Sequence, residues 1–159
     1  MKDQEVFNEV LTQAYKRMHR YTCAEASLQA LLTLWNLPLE DISWATGGYL
    51  GAILSGETTC GLLIGSSIAI GFHCGQGKRE IPEKCEEERN MAIQAIGELY
   101  TDFLEEFGST KCKKLCNVDF RKGEEIAHYL ATKGWKQTCD IFLDFVIRKC
   151  VSMMEEGKI

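Results

Sequence analysis

Apolar residues recur along most of the chain at the spacing of an amphipathic helix. Between residues 4 and 19 the residues predicted to share one helix face are Val6, Phe7, Val10, Leu11, Ala14, Tyr15 and Met18. In a second, longer segment, residues 82–107, they are Met91, Ala95, Leu99, Phe103 and Phe107. No segment alternates strictly between apolar and polar residues, as a half-buried strand would. The pattern predicts an all-α fold, a bundle of about six to eight helices.

The same pattern sets the approximate helix bounds. We predict helices over residues 4–19, 22–35, 38–46, 59–72, 82–107, 123–133 and 136–155, and a brief helix ending at Cys116. The second helix opens with the capping-box sequence Thr22-Cys23-Ala24-Glu25. Residues 47–56 contain four glycines and are predicted to form a glycine-rich loop with tight turns, or to approach a ligand closely.

Length and charge narrow the functional classes. The 159 residues show no repeat, linker or low-complexity region, which predicts a single helical domain over residues 1–159. The net charge of −5 argues against binding to nucleic acid or to anionic lipid. The most apolar stretch, residues 60–74, is too short to span a bilayer. The charged N-terminus does not resemble a signal peptide, so we expect a cytoplasmic protein.

Eight cysteines are the main candidates for chemistry, because in a reducing compartment they are seldom structural disulfides. Four of them follow Ser or Thr within three residues: Cys23, Cys60, Cys112 and Cys139. The other four, Cys74, Cys85, Cys116 and Cys150, do not. A hydroxyl residue is the usual N-cap, so the first four cysteines are predicted to lie at the starts of four different helices.

A helix start changes the chemistry of a thiol. Unpaired backbone N–H groups and the helix dipole stabilise a negative sulfur there, so we expect these four cysteines to have lowered pKa values. Thiolate is the form that binds metal and attacks electrophiles. The alternative is that the Ser and Thr neighbours are coincidental and the cysteines are small core residues.

The remaining cysteines give weaker signals. Cys112 and Cys116 are four residues apart and would share a helix face, either as a ligand pair or as buried neighbours. Cys74 and Cys150 are predicted to be core residues, and Cys85 to be exposed. The sequence has no Cys-x-x-Cys pair, which argues against a thioredoxin-type site and a zinc ribbon.

The segment Cys60-Gly61-Leu62-Leu63-Ile64-Gly65 resembles the Cys-Gly-Ala-x-x-Gly motif of the C_GCAxxG_C_C family, with Leu62 where the family usually has Ala. The segments around Cys23, Cys112 and Cys139 are similar to the family's other cysteine regions, and Gly47, Gly48 and Gly51 to its glycine-rich stretch. The resemblance covers about residues 20–150. It implies redox activity, with an iron–sulfur cluster as the cofactor.

Our leading hypothesis is therefore a redox or electron-transfer protein that binds an iron–sulfur cluster through Cys23, Cys60, Cys112 and Cys139. Gly47, Gly48 and Gly51 would let backbone come close to that cluster. One alternative is a metal-free thiol–disulfide protein, and a third is a helical interaction module with a structural zinc. If the protein is an enzyme, the expected class is an oxidoreductase. We expect it to exchange electrons with a partner protein that the sequence does not identify. The sequence is also compatible with a homodimer.

Overall fold

The computed structural model describes residues 2–40 and 42–159. Eight α-helices account for most of these residues: α1 (Lys2–Arg20), α2 (Cys23–Leu34), α3 (Tyr49–Leu54), α4 (Gly61–Cys74), α5 (Glu86–Phe107), α6 (Cys112–Cys116), α7 (Gly123–Ala131) and α8 (Cys139–Glu155). Short 3₁₀ helices span Ser43–Thr46, Pro82–Lys84 and Gly134–Gln137. No strand occurs within the described ranges, which confirms the predicted all-α fold.

Helices α2 and α4 lie at the centre of the bundle. α2 packs against α1 on one side and α4 on another, and both α2 and α4 also contact α8. The α4 residues Leu62, Leu63 and Ile70 are completely buried. This explains why α4 is apolar around most of its circumference: it has neighbours on several sides.

Most residues of the predicted apolar faces of α1 and α5 form the inner surfaces of those helices, but Val6 and Met91 are 55% and 40% exposed, so their predicted place on those faces is wrong. In α1 the buried residues include Phe7, Leu11 and Ala14. In α5, Phe103 and Phe107 pack edge-on against two phenylalanines of α8, and the ring centroids of Phe107 and Phe142 are 4.7 Å apart. Aromatic burial of this kind contributes strongly to the stability of the core.

Two local predictions are wrong. Within the described residues 38–40 and 42–46 the structure has the 3₁₀ turn Ser43–Thr46 and no α-helix, and the segment predicted as a loop contains α3. Gly47 and Gly48 both have negative φ angles, −60° and −94°, so they do not interrupt helical geometry there. The Tyr49 hydroxyl ties the start of α3 to the segment before α4 by donating to the Thr59 carbonyl oxygen at 2.7 Å.

None of the helices in residues 2–40 and 42–159 combines the length and the apolar character needed to cross a bilayer.

Candidate functional site

The four predicted cysteines all lie at helix starts. Cys23, Cys112 and Cys139 are the first residues of α2, α6 and α8, and Cys60 is the N-cap of α4. The predicted placement is confirmed.

The capping hydroxyl is present at only one of these four helices. Thr22 Oγ1 accepts a hydrogen bond from the Glu25 backbone N–H at 3.2 Å. Ser109 instead accepts from the Lys111 N–H at 3.1 Å, and Thr138 donates to the Gly134 carbonyl oxygen at 3.1 Å. Elsewhere the hydroxyl residues therefore order the turn that precedes the helix.

Backbone pairing brings the start of α4 next to the start of α6. Around an isolated antiparallel bridge, the Cys60 N–H donates to the Thr110 carbonyl oxygen at 2.7 Å. The Cys112 N–H donates to the Thr58 carbonyl oxygen at 3.0 Å. Two cysteines that are 52 positions apart in sequence (112 minus 60) are thus held on neighbouring backbone segments.

Cys116 is a fifth cysteine in the same region. Its Sγ is 3.7 Å from the Sγ of Cys139. The Tyr129 hydroxyl contacts both, 3.7 Å from the Cys116 sulfur and 3.3 Å from the Cys139 sulfur. We refer to Cys23, Cys60, Cys112, Cys116 and Cys139 together as the cysteine site.

Burial dominates the titration of the thiols nearest the core. It is the main cause that raises the pKa of Cys23 from 9.0 to about 12, with the thiols of Cys139 and Cys116 adding to the shift. Burial also raises the pKa of Cys60 well above its usual value, with Cys23 as the next cause. These effects show that Cys23, Cys60, Cys116 and Cys139 lie close enough to influence one another's charge.

The pKa values of Cys116 and Cys139 depend mainly on the contacts of these thiols with neighbouring sulfurs. A hydrogen bond with Cys112 is the largest cause that raises the pKa of Cys116 to about 11. The hydrogen bond with Cys116, followed by burial, raises the pKa of Cys139 well above its usual value. The expectation of a lowered pKa is therefore wrong for Cys23, Cys60 and Cys139.

The predicted backbone N–H groups are present but do not determine the sign of the shift. The backbone N–H groups of Ala24 and Leu62 lie near the sulfurs of Cys23 and Cys60, and each lowers the pKa of its cysteine. Transferring a thiolate out of water costs more free energy than these N–H groups contribute by stabilising it. The thiols of Cys23 and Cys60, whose pKa values are raised by burial, therefore stay protonated at neutral pH unless a cation binds to them.

The glycine that approaches a cysteine most closely is Gly61. A Cβ at this position would overlap the Cys23 sulfur and lie 3.2 Å from the Ala24 nitrogen. The predicted glycines lie elsewhere: Gly47 ends the 3₁₀ turn next to Trp44, and a Cβ at Gly48 or Gly51 would meet no atom within 4 Å. Their role beside a cofactor stays a prediction.

A cleft of about 230 Å³ leads from the surface to Cys23 and Cys139. It lies between the end of α1, α3, α7 and the start of α8, and its walls are largely apolar. Leu50 and Leu130 line it and are 47% and 55% exposed. Small molecules can therefore reach one side of the cysteine site.

The remaining cysteines lie outside the site. Cys150 is completely buried, as predicted for a core residue. Cys74 packs against the core but is only half-buried, so it is not the buried core residue that was predicted. Cys85 is also half-buried, so the prediction that it is exposed is wrong. Cys85 is the N-cap of α5 and shares a surface pocket with Phe72 and Ala92, which cover part of it.

Among the described ranges, no three His, Cys, Asp or Glu side chains are arranged around a point where a single metal ion could bind.

Comparison with known families identifies the family to which this chain belongs. The model of the family described as "Putative redox-active protein (C_GCAxxG_C_C)" matches residues 21–153. The chain belongs to the C_GCAxxG_C_C family. The match spans the whole cysteine site, from Cys23 to Cys139. Searches of curated proteins and of solved structures gave no match.

Sequence reasoning missed three residues of the C_GCAxxG_C_C site. Cys116 had a usable signal, its four-residue spacing from Cys112, but that spacing fitted a buried neighbour equally well. Gly61 lies inside the family motif, next to Cys60. Tyr129 had no signal, because its contacts depend on how α7 packs against α6 and α8.

Proposed function

We propose that this member of the C_GCAxxG_C_C family is an electron-transfer protein whose cysteine site binds an iron–sulfur cluster. The observation that carries the proposal is the gathering of five cysteines from α2, α6, α8 and the start of α4 around one partly buried position. The proposed ligands are Cys23, Cys60, Cys112 and Cys139, because they belong to four separate helix starts.

The chemistry of this donor set fits a cluster. Cysteine thiolates are the usual ligands of both [2Fe–2S] and [4Fe–4S] clusters, and four are needed. In a cluster they bind different irons, so the sulfurs need not converge on one point as they do around zinc. A bound cation deprotonates a coordinating thiol, which reverses the effect of burial on Cys23 and Cys60.

The surroundings of the sulfurs also suit this function. A bound cluster would accept and release single electrons. Hydrogen bonds to ligand sulfurs help to set its potential, and the Ala24 and Leu62 N–H groups are placed to donate such bonds. Gly61 leaves room beside the Cys23 sulfur. We include Gly47, Gly48 and Gly51 in the proposal as backbone that lies near the cofactor.

The proposed setting is a reducing cytoplasm, where the protein exchanges electrons with a partner protein. All eight cysteines are free, which fits such a compartment. The net charge of −5 makes nucleic acid an unsuitable partner.

The test is the iron and acid-labile sulfide content of protein purified without oxygen. We expect both elements together with visible absorption. The Cys60→Ala variant should lose them, whereas Cys150→Ala should keep them, because both cysteines are buried but only Cys60 belongs to the cysteine site. Zinc without sulfide, or a colourless protein without metal, would refute the proposal.

A further inference from the structure

Two sulfurs of the cysteine site are already close to bonding distance. The Sγ atoms of Cys116 and Cys139 are 3.7 Å apart, and a disulfide requires about 2.05 Å. The Tyr129 hydroxyl contacts both sulfurs and keeps the two side chains on the same side of the site. Forming the bond requires the two sulfurs to approach each other by about 1.7 Å (3.7 minus 2.05).

The elements that carry this pair can accommodate the movement. Cys116 is the last residue of α6, which has only five residues and ends at Asn117 in the left-handed conformation, φ 53°. Cys139 is the first residue of α8. Each sulfur thus lies at a helix terminus, where backbone can adjust without breaking a long series of helical hydrogen bonds.

The two cysteines differ in access. Cys139 lines the apolar cleft, whereas Cys116 is only 9% exposed and is not part of the cleft wall. A small oxidant that enters the cleft therefore meets Cys139 first. Cys116 lies behind it, in the position of a second thiol that completes the disulfide.

We propose that Cys116 and Cys139 form a reversible disulfide in the metal-free protein and that this bond blocks loading of the cluster. The proposal rests on the proposed function, because Cys139 is one of the four ligands there and Cys116 is not. The reactant is a low-molecular-weight disulfide, and glutathione disulfide serves as the probe.

The reaction takes place in two exchange steps. The nucleophile is the fraction of Cys139 that has lost its proton, and its sulfur attacks one sulfur of glutathione disulfide. The first glutathione leaves as a thiolate and takes up the proton that Cys139 released. The Cys116 sulfur then attacks the Cys139 sulfur of the mixed disulfide, and the second glutathione leaves with the Cys116 proton. The two cysteines lose two electrons in total, and the glutathione disulfide gains them.

Mapping the disulfide tests the proposal directly. Metal-free protein is equilibrated with glutathione disulfide, alkylated, digested with trypsin and analysed by mass spectrometry. Cleavage after Lys113 and Lys114 separates Cys112 from Cys116, which lies in the peptide 115–121. Cys139 lies in the peptide 137–148. We expect these two peptides to be linked, with the loss of two thiols per chain.

Matched variants make the result specific. Cys112→Ala should still show the link between peptides 115–121 and 137–148. A link between Cys112 and Cys116, or no link in the wild-type chain under conditions that oxidise exposed thiols, would overturn the proposal.

Iron loading tests the second part of the proposal, that the disulfide blocks loading of the cluster. Reduced Cys116→Ala should bind as much iron and sulfide as the reduced wild-type protein, and treatment with glutathione disulfide should reduce loading of the wild type much more than loading of this variant. Loss of iron from reduced Cys116→Ala would show that Cys116 is a ligand and would overturn the proposal. A reduced wild-type protein without iron would refute the proposed function instead, and the mapping would still decide whether the disulfide forms.

Discussion

At the scale of single residues, Tyr129 connects α7 to the sulfurs of Cys116 and Cys139 and to the hydroxyl of Thr138. Its hydroxyl is 2.9 Å from Thr138 Oγ1 as well as within reach of Cys116 and Cys139. The ring packs edge-on against Phe120 and Trp135. Polar groups in such a partly buried position contribute to stability only while they keep their partners.

Tyr129→Phe removes the hydroxyl and retains the ring. We expect the free energy of unfolding of the metal-free protein to fall by about 0.5–1.5 kcal/mol, because the Thr138 hydroxyl and the two sulfurs lose a hydrogen-bond partner. Urea denaturation measures the change. Tyr21→Phe is the control, since Tyr21 is 56% exposed, and equal effects of the two substitutions would contradict the assigned role.

At the scale of elements, the closeness of α2 and α4 depends on two glycines one helical turn apart. A Cβ on Gly65 would overlap the Ala24 carbonyl oxygen and the Ser27 hydroxyl, just as one on Gly61 would overlap the Cys23 sulfur. The absence of side chains at these two positions lets α4 lie directly against the first turn of α2, where Cys23 begins the helix.

Gly65→Ala should force α2 and α4 apart. We expect a destabilisation of about 1–3 kcal/mol, because the added methyl group enters a well-packed contact with backbone. Gly71→Ala, in the same helix, is the matched control: its Cβ would meet nothing within 4 Å, and alanine should stabilise the helix by about 0.4–1 kcal/mol. Thermal denaturation of both variants distinguishes them. A destabilised Gly71→Ala would contradict the open surroundings of Gly71.

At the scale of the whole molecule, the buried thiols link stability to pH. The pKa of Cys23 rises from 9.0 to about 12 on folding, so above pH 9 the unfolded chain releases a proton that the folded chain keeps. Stability from this thiol is complete below pH 9 and is lost as the pH rises toward about 12. Metal binding has the opposite pH dependence: it is favoured as the pH rises, because the ligands must lose their protons.

The metal-free protein should therefore become less stable as the pH rises above 9. In Cys23→Ala the fall should be shallower by about 1.4 kcal/mol per pH unit, because one thiol no longer contributes. Urea denaturation at a series of pH values measures the two slopes, and the comparison cancels the titration of other groups. Parallel slopes for the two proteins would show that Cys23 is not desolvated.

Much of this molecule follows from local sequence alone. The periodicity of apolar residues determined α1, α4, α5 and α8, and the residues around four cysteines predicted that each would begin a helix. Both are short-range properties, since helix formation and its termination depend on neighbours within a turn or two. The segments predicted wrongly, residues 38–46 and 47–56, are those where the local signal is weakest.

The composition of the site was decided by tertiary structure. Helix packing placed Cys116 beside Cys139 and put Gly61 against the Cys23 sulfur. It also reversed the expected pKa shifts, because burial depends on which helices cover a thiol and not on its position along one helix. The sequence by itself determined that Cys23, Cys60, Cys112 and Cys139 lie at helix starts; only the packing of those helices determined which thiols meet and how they are solvated.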